Sequence, residues 1–517
     1  MFIGERYVIP LNGSFNGNDD LSNIPAGQFS DESRNGNIHN GGFEKRGGTQ
    51  PVGNQIAASL ESLGGGMLVK RSTNTRHIYF AGADGAVYRD GVSILSGRST
   101  TAKTHFVPAD DKMFILNGVD AVKVDTGSAV ATITSPNADW TGSTHPKKMT
   151  IHTKGGSRRA VFWGVAGKET TAYISSTGDF QVATGGTSTT VVVDFRHGSG
   201  IIDCVSKDGV LWFLGKEETF YLDDTDADTA NWGVVKASFK GGVASPRLTC
   251  QAGTFFFALT TDGHIYEVQT AEQLRDFKEA SITRPFFIHN WIRRNVDLTS
   301  IAHFHMNDEP KTRSLRIFMR RTGVSYNDVC LVYYYDLQMW APPHDGRDNS
   351  STNGTGYKAA ASFPAEDANM QQRLYTQDYN GRTWEIESTT KTDNGNAYTA
   401  VAATGWSDFD LEGVEKRYPY GILAYRSLGD YQVDIQWFID GAQQSSQTVS
   451  LSSSSAVLGG LVLDTDTLAL IGTEEVEFEL GEVGRKIRML ISNDGAGEDY
   501  LLSHLIFPFL NRGVRRK

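Results

Sequence analysis

Alternating apolar and polar positions run through most of this chain and predict β-strands. Short runs rich in Val, Ile, Phe, Tyr and Thr recur, and polar turns that often contain Gly interrupt them. An amphipathic helical pattern stands at Thr270 to Glu279 (TAEQLRDFKE), where Thr270 is suited to the N-cap of one short helix. The pattern as a whole predicts a mostly β protein.

A pair of strands joined by a polar turn recurs along the middle of the chain. Each copy starts with an apolar strand and ends with a strand that carries an aromatic or apolar residue near its centre. The clearest copies are His77 to Asp90, Lys112 to Asp125, Gly209 to Leu222, Thr254 to Val268 and Gln372 to Ile386, and the looser ones are Arg159 to Ser175 and Ser314 to Trp340. Successive copies start roughly 35 to 60 residues apart, which is the spacing of propeller blades.

These repeats predict the fold class. A lone hairpin is barely stable in water, whereas hairpins stacked radially bury both faces of every blade. We therefore expect an all-β chain with a β-propeller of about seven blades over residues 56–390. The alternative is a series of unrelated β-sandwich hairpins, because hairpins resemble one another in any all-β protein.

The two ends of the chain lie outside the repeat. Residues 1–55 are rich in Gly, Asn, Asp and Ser and lack a hydrophobic period. We expect an extended N-terminal arm that becomes ordered against a neighbour, with a disordered terminus as the alternative. Residues 391–517 contain alternating strands around a Ser-rich link, which predicts an antiparallel β-sandwich-like C-terminal domain with a basic tail.

Charge and cysteine content narrow the functional classes. The 517 residues include 49 basic and 60 acidic side chains, a formal net charge of −11. This charge argues against a protein that reads a DNA groove, but it permits DNA as a cargo that slides past like charge. Cys204, Cys250 and Cys330 are widely spaced and suit reduced, buried thiols better than a disulfide framework. With no signal peptide or membrane helix evident, we expect a soluble protein folded in a reducing cytoplasm.

Several patterns approach a catalytic or metal site without completing one. In the segment Asp223 to Asp228, the residues Asp224, Asp226 and Asp228 take positions 1, 3 and 5 of a calcium-type loop. Thr229 and Val235 stand where that loop requires Gly and Glu. We interpret this segment as a solvated acidic loop. Thr376 to Trp384 is one residue too long for the Asp-box turn of sialidase propellers, and we favour a blade turn with a buried Trp.

Two further patterns have competing interpretations. His303 and His305 alternate as metal ligands on a strand do, but no third ligand stands at a fixed spacing, so a structural role is favoured. Arg284 to Arg294 is basic and aromatic; its apolar half is expected to pack, which leaves Arg293 and Arg294 to pair with acids on a partner. Standard catalytic and cofactor motifs are missing, so we expect no enzyme activity, no cofactor and no metal.

The order of short motifs along the chain adds a resemblance. The motifs are Gly42 to Thr49 (GFEKRGGT), Leu211 to Gly215 (LWFLG), Glu218 to Leu222 (ETFYL), Lys240 to Pro246 (KGGVASP), Phe255 to Gly263 (FFFALTTDG), Leu331 to Trp340 (LVYYYDLQMW) and Gly484 to Arg488 (GRKIR). In this order they resemble the packaged-DNA stabilisation proteins, the tail hub or nozzle proteins of short-tailed bacteriophages. Gly47 stands where that family often has Pro.

The resemblance implies a structural virion protein in the phage tail, assembled in the host cytoplasm. Copies would form a homo-oligomeric ring, expected to be a hexamer, at the distal end of the tail. The expected partners are tail adaptor and portal-side proteins, a plug or needle, and tail fibres, with DNA as non-specific cargo in the bore. The ring would retain DNA and then pass it at ejection.

Within this interpretation, acidic lumen residues repel the DNA backbone and keep friction low. The candidates for lumen or aperture charge are Asp223, Asp224, Asp226 and Asp228. The candidates for subunit or partner contacts are Arg293, Arg294, Arg512, Arg515 and Arg516.

The alternative function is a propeller-type receptor- or glycan-binding tail protein. Such a protein presents an aromatic platform that repeats from blade to blade. Tyr88, Tyr221, Tyr266 and Trp384 stand at similar places in the repeats, although their position in mid-strand favours the core. A propeller hydrolase is disfavoured because no recognisable motif supplies paired carboxylates.

Overall fold

The structure is a computed structural model that describes residues 5–196, 198–237, 241–271, 276–348, 355–427, 429–452 and 473–513. In these ranges, no helix has both the length and the apolar character needed to cross a membrane.

The N-terminal arm carries four short strands. They are β1 (Glu5–Pro10), β2 (Gly36–Asn37), β3 (Phe43–Lys45) and β4 (Gly48–Val52). A short 3-10 helix at Leu21–Asn23 lies between the first two.

Six of the propeller blades are built from consecutive strands, each blade an antiparallel sheet of four. Blade 1 contains β5 (Ser62–Lys70), β6 (Thr75–Gly82), β7 (Val87–Arg89) and β8 (Val92–Leu95). Blade 2 contains β9 (His105–Ala109), β10 (Lys112–Leu116), β11 (Lys123–Asp125) and β12 (Val130–Thr132). Blade 3 contains β13 (Lys148–Lys154), β14 (Ser157–Trp163), β15 (Thr171–Ile174) and β16 (Thr189–Val192).

The next three blades follow the same order. Blade 4 contains β17 (Asp203–Lys207), β18 (Val210–Leu214), β19 (Thr219–Asp223) and β20 (Gly233–Lys236), with a 3-10 helix at Thr229–Asn231. Blade 5 contains β21 (Thr249–Ala252), β22 (Phe255–Leu259), β23 (Ile265–Ala271) and β24 (Asp276–Ser281). After α1 (Ile288–Asn295) and a 3-10 helix at Leu298–His303, blade 6 contains β25 (His305–Glu309), β26 (Ser314–Met319), β27 (Val329–Tyr334) and β28 (Met339–Asp345).

Blade 7 joins the two ends of the propeller. It contains β29 (Ala361–Glu366), β30 (Gln372–Gln377) and β31 (Thr383–Ser388), and the arm supplies β4 as its outermost strand. In this pairing Val52 lies opposite Thr383 and Gln50 lies opposite Glu385. The innermost strands β29 and β5 pack side by side, which closes the ring. The prediction of an all-β chain with a propeller of about seven blades is therefore confirmed.

The C-terminal domain is a sandwich of two antiparallel sheets. Its strands are β32 (Ala400–Ala403), β33 (Glu415–Ser427), β34 (Tyr431–Ile439), β35 (Ala442–Leu451), β36 (Glu474–Gly484), β37 (Ile487–Asn493) and β38 (Tyr500–Gly513). One sheet has the order β32-β37-β34-β35, and the other has β2-β3-β38-β33-β36 with β1 also paired to β38. The arm pairs with its own chain, because one edge of β38 accepts β1 and β3. Its ordering against a neighbour stays a prediction.

The helix predicted at Thr270 to Glu279 is wrong. The described part of this segment forms the ends of β23 and β24, which pair with Ala271 opposite Asp276. Helix propensity over one short segment is a weak preference, and here the fourth strand of blade 5 satisfies the backbone instead. The one α-helix of the described chain, α1, begins inside the basic aromatic stretch at Arg284 to Arg294 and ends one residue beyond it, at Asn295.

The largest hydrophobic core crosses the domain boundaries. It joins residues of the arm, of blades 4 to 7 and of the sandwich, including Phe15, Trp340 and Phe507. Separate, smaller clusters fill the spaces around blades 1 to 4. Propeller, arm and sandwich consequently share apolar burial in one half of the molecule.

Candidate functional site at the arm junction

The segment Glu44 to Gly48 carries the chain from the sandwich into the propeller. Glu44 and Lys45 belong to β3 in the sandwich, and Gly48 opens β4 in blade 7. Arg46 and Gly47 make the crossing between them. We call this place, with the side chains that contact Arg46 and Gly47, the arm junction.

Arg46 is the centre of the arm junction. Its side chain has no exposed surface, and its guanidinium forms a two-pronged ion pair with Asp393, at 2.9 and 2.7 Å. Its remaining donors reach the side chain of Asn35 in the arm and the carbonyl of Asp345 in blade 6. One guanidinium therefore connects the arm, blade 6 and the segment that leaves the propeller.

Two tyrosines enclose the same guanidinium. The ring centroids of Tyr357 and Tyr398 lie 4.0 and 3.7 Å from its central carbon, and both contacts have cation–π geometry. Burial alone would lower the pKa of Arg46, but the charge of Asp393 outweighs it and the net shift is upward. The ion pair stays charged in the interior, where it is strong and directional.

A second buried cluster surrounds Glu387 at the end of blade 7. Its carboxylate accepts from Arg316 of blade 6 at 3.1 Å, from Asn37 of the arm at 3.0 Å and from Tyr357 at 2.9 Å. Burial raises the pKa of Glu387, but Arg316 and His344 lower it by more, so the pKa lies well below its usual value. The carboxylate remains ionised and holds the arm against two blades.

Close backbone approach explains both glycines of the crossing. The Gly47 amide donates to Glu387 at 2.8 Å, and a Pro at this position would lose this bond. A Cβ on Gly47 would lie 2.5 Å from the Cα of Glu387, and a Cβ on Gly48 would overlap the carbonyl oxygen of Thr392. Only glycine fits at either position without a backbone shift.

Two distant motifs of the resemblance also meet the arm. Trp340 of the LVYYYDLQMW motif accepts from the Phe15 amide at 2.7 Å and donates from its own amide to Ser14. Arg488 of the GRKIR motif pairs with Glu32 at 2.6 Å. Two distant motifs, one in blade 6 and one in the sandwich, thus contact the arm that itself carries the motif at Gly42 to Thr49.

The predicted acidic loop lies between the third and fourth strands of blade 4. Asp226 and Asp228 are exposed and hold the loop by accepting from backbone amides, at 2.8 and 3.0 Å. Asp223 is half-buried, whereas Asp224 is buried and bonded to His152 at 2.9 Å and to Lys154. Burial raises the pKa of Asp224, but the bonds from His152 and Lys154 outweigh it and lower the pKa overall. The role of this loop in a lumen stays a prediction.

The predicted contact arginines have different environments. Arg293 is exposed and donates to the carbonyl of Asp262 at 3.0 Å. Arg294 pairs with Asp19 and donates to the Gly17 carbonyl, so it contacts the arm of its own chain. Arg512 is exposed near the end of β38, and Arg515 and Arg516 lie outside the described residues.

Other patterns from the sequence have structural partners. Trp384 is fully buried and donates to Asp378 at 2.9 Å, which agrees with a blade turn and a buried Trp. Tyr88, Tyr221 and Tyr266 are half-buried. His303 ends a 3-10 helix while His305 opens β25, so the two rings do not alternate on one strand.

The sequence did not identify Asp393, Glu387 or Asn35 as partners of the crossing. Arg46 and Asp393 are 347 residues apart, and no local pattern connects them. The signal that was present is the unusual series Glu44-Lys45-Arg46-Gly47-Gly48, with three charges followed by two glycines at the end of a polar arm.

Neither a family model nor a curated protein matches the chain. Among solved structures, BBS1N in complex with ARL6DN has a TM-score of 0.41 and 7% identity, covering 66% of this chain and 95% of that one. BamB from Moraxella catarrhalis has a TM-score of 0.36 and 9% identity, covering 74% of this chain and 97% of that one. YCF48 bound to D1 peptide has a TM-score of 0.38 and 11% identity, covering 65% of this chain and 94% of that one. The propeller assignment rests on the sheets themselves, and likenesses of this size say nothing about function.

Proposed function

We propose that this protein is a non-catalytic structural component of a bacteriophage tail, a distal nozzle or hub that forms a homo-oligomeric ring around a DNA passage. The observation that carries the proposal is the contact that distant motifs of the chain make with the N-terminal arm. Trp340 and Arg488 stand in two separate motifs that resemble one tail-protein family, and they bond to Ser14 and Glu32 of the same arm.

A rigid junction suits a conduit. A ring that retains pressurised DNA needs subunits whose domains do not hinge, and buried ion pairs with planar, forked geometry restrict relative rotation. In the ion pairs Arg46–Asp393 and Arg316–Glu387, all four side chains are fully or almost fully buried. The shared apolar core adds non-directional stabilisation across the same boundary.

Electrostatics supports passage of DNA without adhesion. The chain has a formal charge of −11, and the exposed carboxylates of Asp226 and Asp228 are available to a bore. Replacing the exposed Asp226 and Asp228 by Lys is expected to slow or stall DNA release from reconstituted particles, while Asp224 is kept because its buried carboxylate pairs with His152 and Lys154. An unchanged ejection rate would remove this loop from the proposal.

Native mass spectrometry and negative-stain imaging test the ring directly. The purified chain, and extracts of particles that contain it, are expected to show a hexameric ring. Rings in the extracts alone would still support the proposal, because assembly on an adaptor is then required. Monomers in both samples would contradict it.

The alternative, a receptor- or glycan-binding propeller, makes a different prediction. It requires the isolated protein to bind defined sugars on a glycan array through exposed aromatic faces. Trp384 is buried, so this function needs aromatic positions other than the repeated one. Saturable glycan binding by a monomer would favour the alternative over the tail nozzle.

A further inference from the structure

One end of the propeller channel collects polar and basic side chains. The innermost strands of the seven blades begin at equivalent positions: Ser62, His105, Lys148, Asp203, Thr249, His305 and Ala361. A cavity of about 210 Å³ lies at this end, and its lining includes His105, Lys148, Arg247 and His305. We call it the channel mouth.

Arg247 reaches across the channel mouth from the start of blade 5. Its guanidinium donates to the carbonyls of His303 at 2.9 Å, Ala360 at 3.2 Å and Ala302 at 3.4 Å. These bonds tie blades 5, 6 and 7 together, but they leave part of the guanidinium's donor capacity unused. Within the described ranges, Arg247 forms no ion pair with a carboxylate.

The neighbouring cations differ from Arg247 in this respect. Lys148 pairs with Asp203 at 2.7 Å, and Lys103 pairs with Glu61 at 2.7 Å. Burial lowers the pKa of Arg247 to about 10, so the side chain still carries its charge at neutral pH. One positive charge at the channel mouth therefore has no anionic partner in direct contact among the residues described.

His105 adds an unused polar atom to the same cavity. Its Nδ1 atom is buried and has no hydrogen-bond partner in the described chain. Burial lowers the pKa of this ring well below its usual value, and Lys148 and Arg247 lower it further, so the imidazole is neutral. A neutral imidazole can present an N–H donor at Nδ1 to a ligand.

Both ring nitrogens of His305 have hydrogen-bond partners, which distinguishes this residue from His105. Its Nε2 lies 3.1 Å from the Ala359 carbonyl, so that nitrogen carries the proton, and its Nδ1 then accepts from the Ser362 hydroxyl at 2.7 Å. Asn307 donates to the same hydroxyl at 2.7 Å. These bonds fix the wall of the cavity.

We propose that the channel mouth binds a small oxyanion, a carboxylate or a phosphate, between Arg247 and His105. The anion neutralises the unpaired guanidinium through charge-assisted bonds and accepts from Nδ1 of His105. A water occupies about 30 Å³, so the cavity of about 210 Å³ holds such an anion with several waters. This site does not depend on the proposed tail function.

Calorimetric titration of the full-length chain with inorganic phosphate, and separately with succinate, tests the site. Saturable binding of either anion is expected, and Arg247→Gln is expected to weaken it by about tenfold or more, the loss of one charge-assisted bond. Arg293→Gln is the matched control, because Arg293 is exposed and lies outside the cavity lining. Its affinity should equal that of the unchanged chain.

The two ligands distinguish the source of the oxyanion. Preference for phosphate points to a phosphorylated ligand, and preference for succinate points to a carboxylate. The ring signals of His105 in NMR provide a second readout on the unchanged chain, since a bound anion raises the pKa of that imidazole. Absence of saturable binding by the unchanged chain, or undiminished binding by folded Arg247→Gln, would overturn the proposal.

Discussion

Arg46 shows how much of the structure depends on one side chain. Lys at this position keeps the charge but loses the planar fork that pairs with Asp393 and the flat face that stacks on two tyrosines. Arg46→Lys is expected to lower the free energy of unfolding by about 3 kcal/mol, the cost of disrupting a buried pair.

Urea denaturation monitored by tryptophan fluorescence measures this loss. Arg293→Lys serves as control, since the exposed Arg293 contacts only a backbone carbonyl among the partners described. Equal midpoints for the two variants would mean that the arm junction contributes little to stability.

Glu309 predicts a pH dependence at the same scale. Burial raises its pKa from 4.5 to about 7 in the folded chain. The folded state therefore binds the proton more tightly than the unfolded state, and this group's contribution makes stability fall as pH rises from about 4.5 to about 7, by up to about 3 kcal/mol.

Glu309→Gln removes that titration. The stability of the variant relative to the unchanged chain is expected to increase between pH 5 and pH 7.5 (about 3 kcal/mol at most), as measured by urea midpoints across pH. Glu479→Gln, on the exposed face of β36, is the control variant. A flat difference for Glu309→Gln would show that the buried carboxyl titrates normally.

Single-residue roles were the least predictable part of the molecule. The acidic loop at Asp223 to Asp228 was visible in the sequence, but the burial of Asp224 depends on His152, which is 72 residues away in another blade. Arg294 was expected to meet a partner, and its acid is Asp19 in its own arm. Such pairs are set by packing between distant segments, which no local pattern encodes.

At the scale of elements, the closing strand β4 is the one most sensitive to a conservative substitution. A methyl group on Gly48 would overlap backbone oxygens of Thr390 and Thr392, which cannot move without shifting the segment. Gly48→Ala is expected to destabilise the chain by about 1–3 kcal/mol. Gly233→Ala in β20 meets open space and should leave thermal unfolding nearly unchanged; equal melting temperatures for both variants would contradict the tight closure.

The elements that the sequence predicted well are those whose information is local. All seven recurring hairpins coincide with the second and third strands of a blade, because the alternation and the turn residues of each hairpin lie close together along the chain. The closing strand was not predicted, since its partner Glu385 comes more than 300 residues later. The helix prediction at Thr270 to Glu279 failed because the segment has a helical period, whereas the strand pairing that it adopts depends on the rest of blade 5.

At the scale of the whole molecule, the sandwich and blades 4 to 7 share one hydrophobic core. Elements that share a core lose their stabilisation together, so the two domains are expected to unfold in one calorimetric transition. Weakening the arm junction by Arg46→Lys should move that transition to lower temperature without splitting it. Two well-separated peaks in the unchanged chain would show that propeller and sandwich are independent units.

The ring closure by β4 also sets a schedule for biosynthesis. Gly47 and its partner Glu387 are 340 residues apart, so at about 5–20 residues per second a ribosome needs roughly 20 to 70 s to deliver the second after the first. During that interval the nascent arm has no partner in blade 7. Until blade 7 is complete, the arm can pair with blade 7 of another copy, so translation of many chains close together raises the chance of arm exchange between copies.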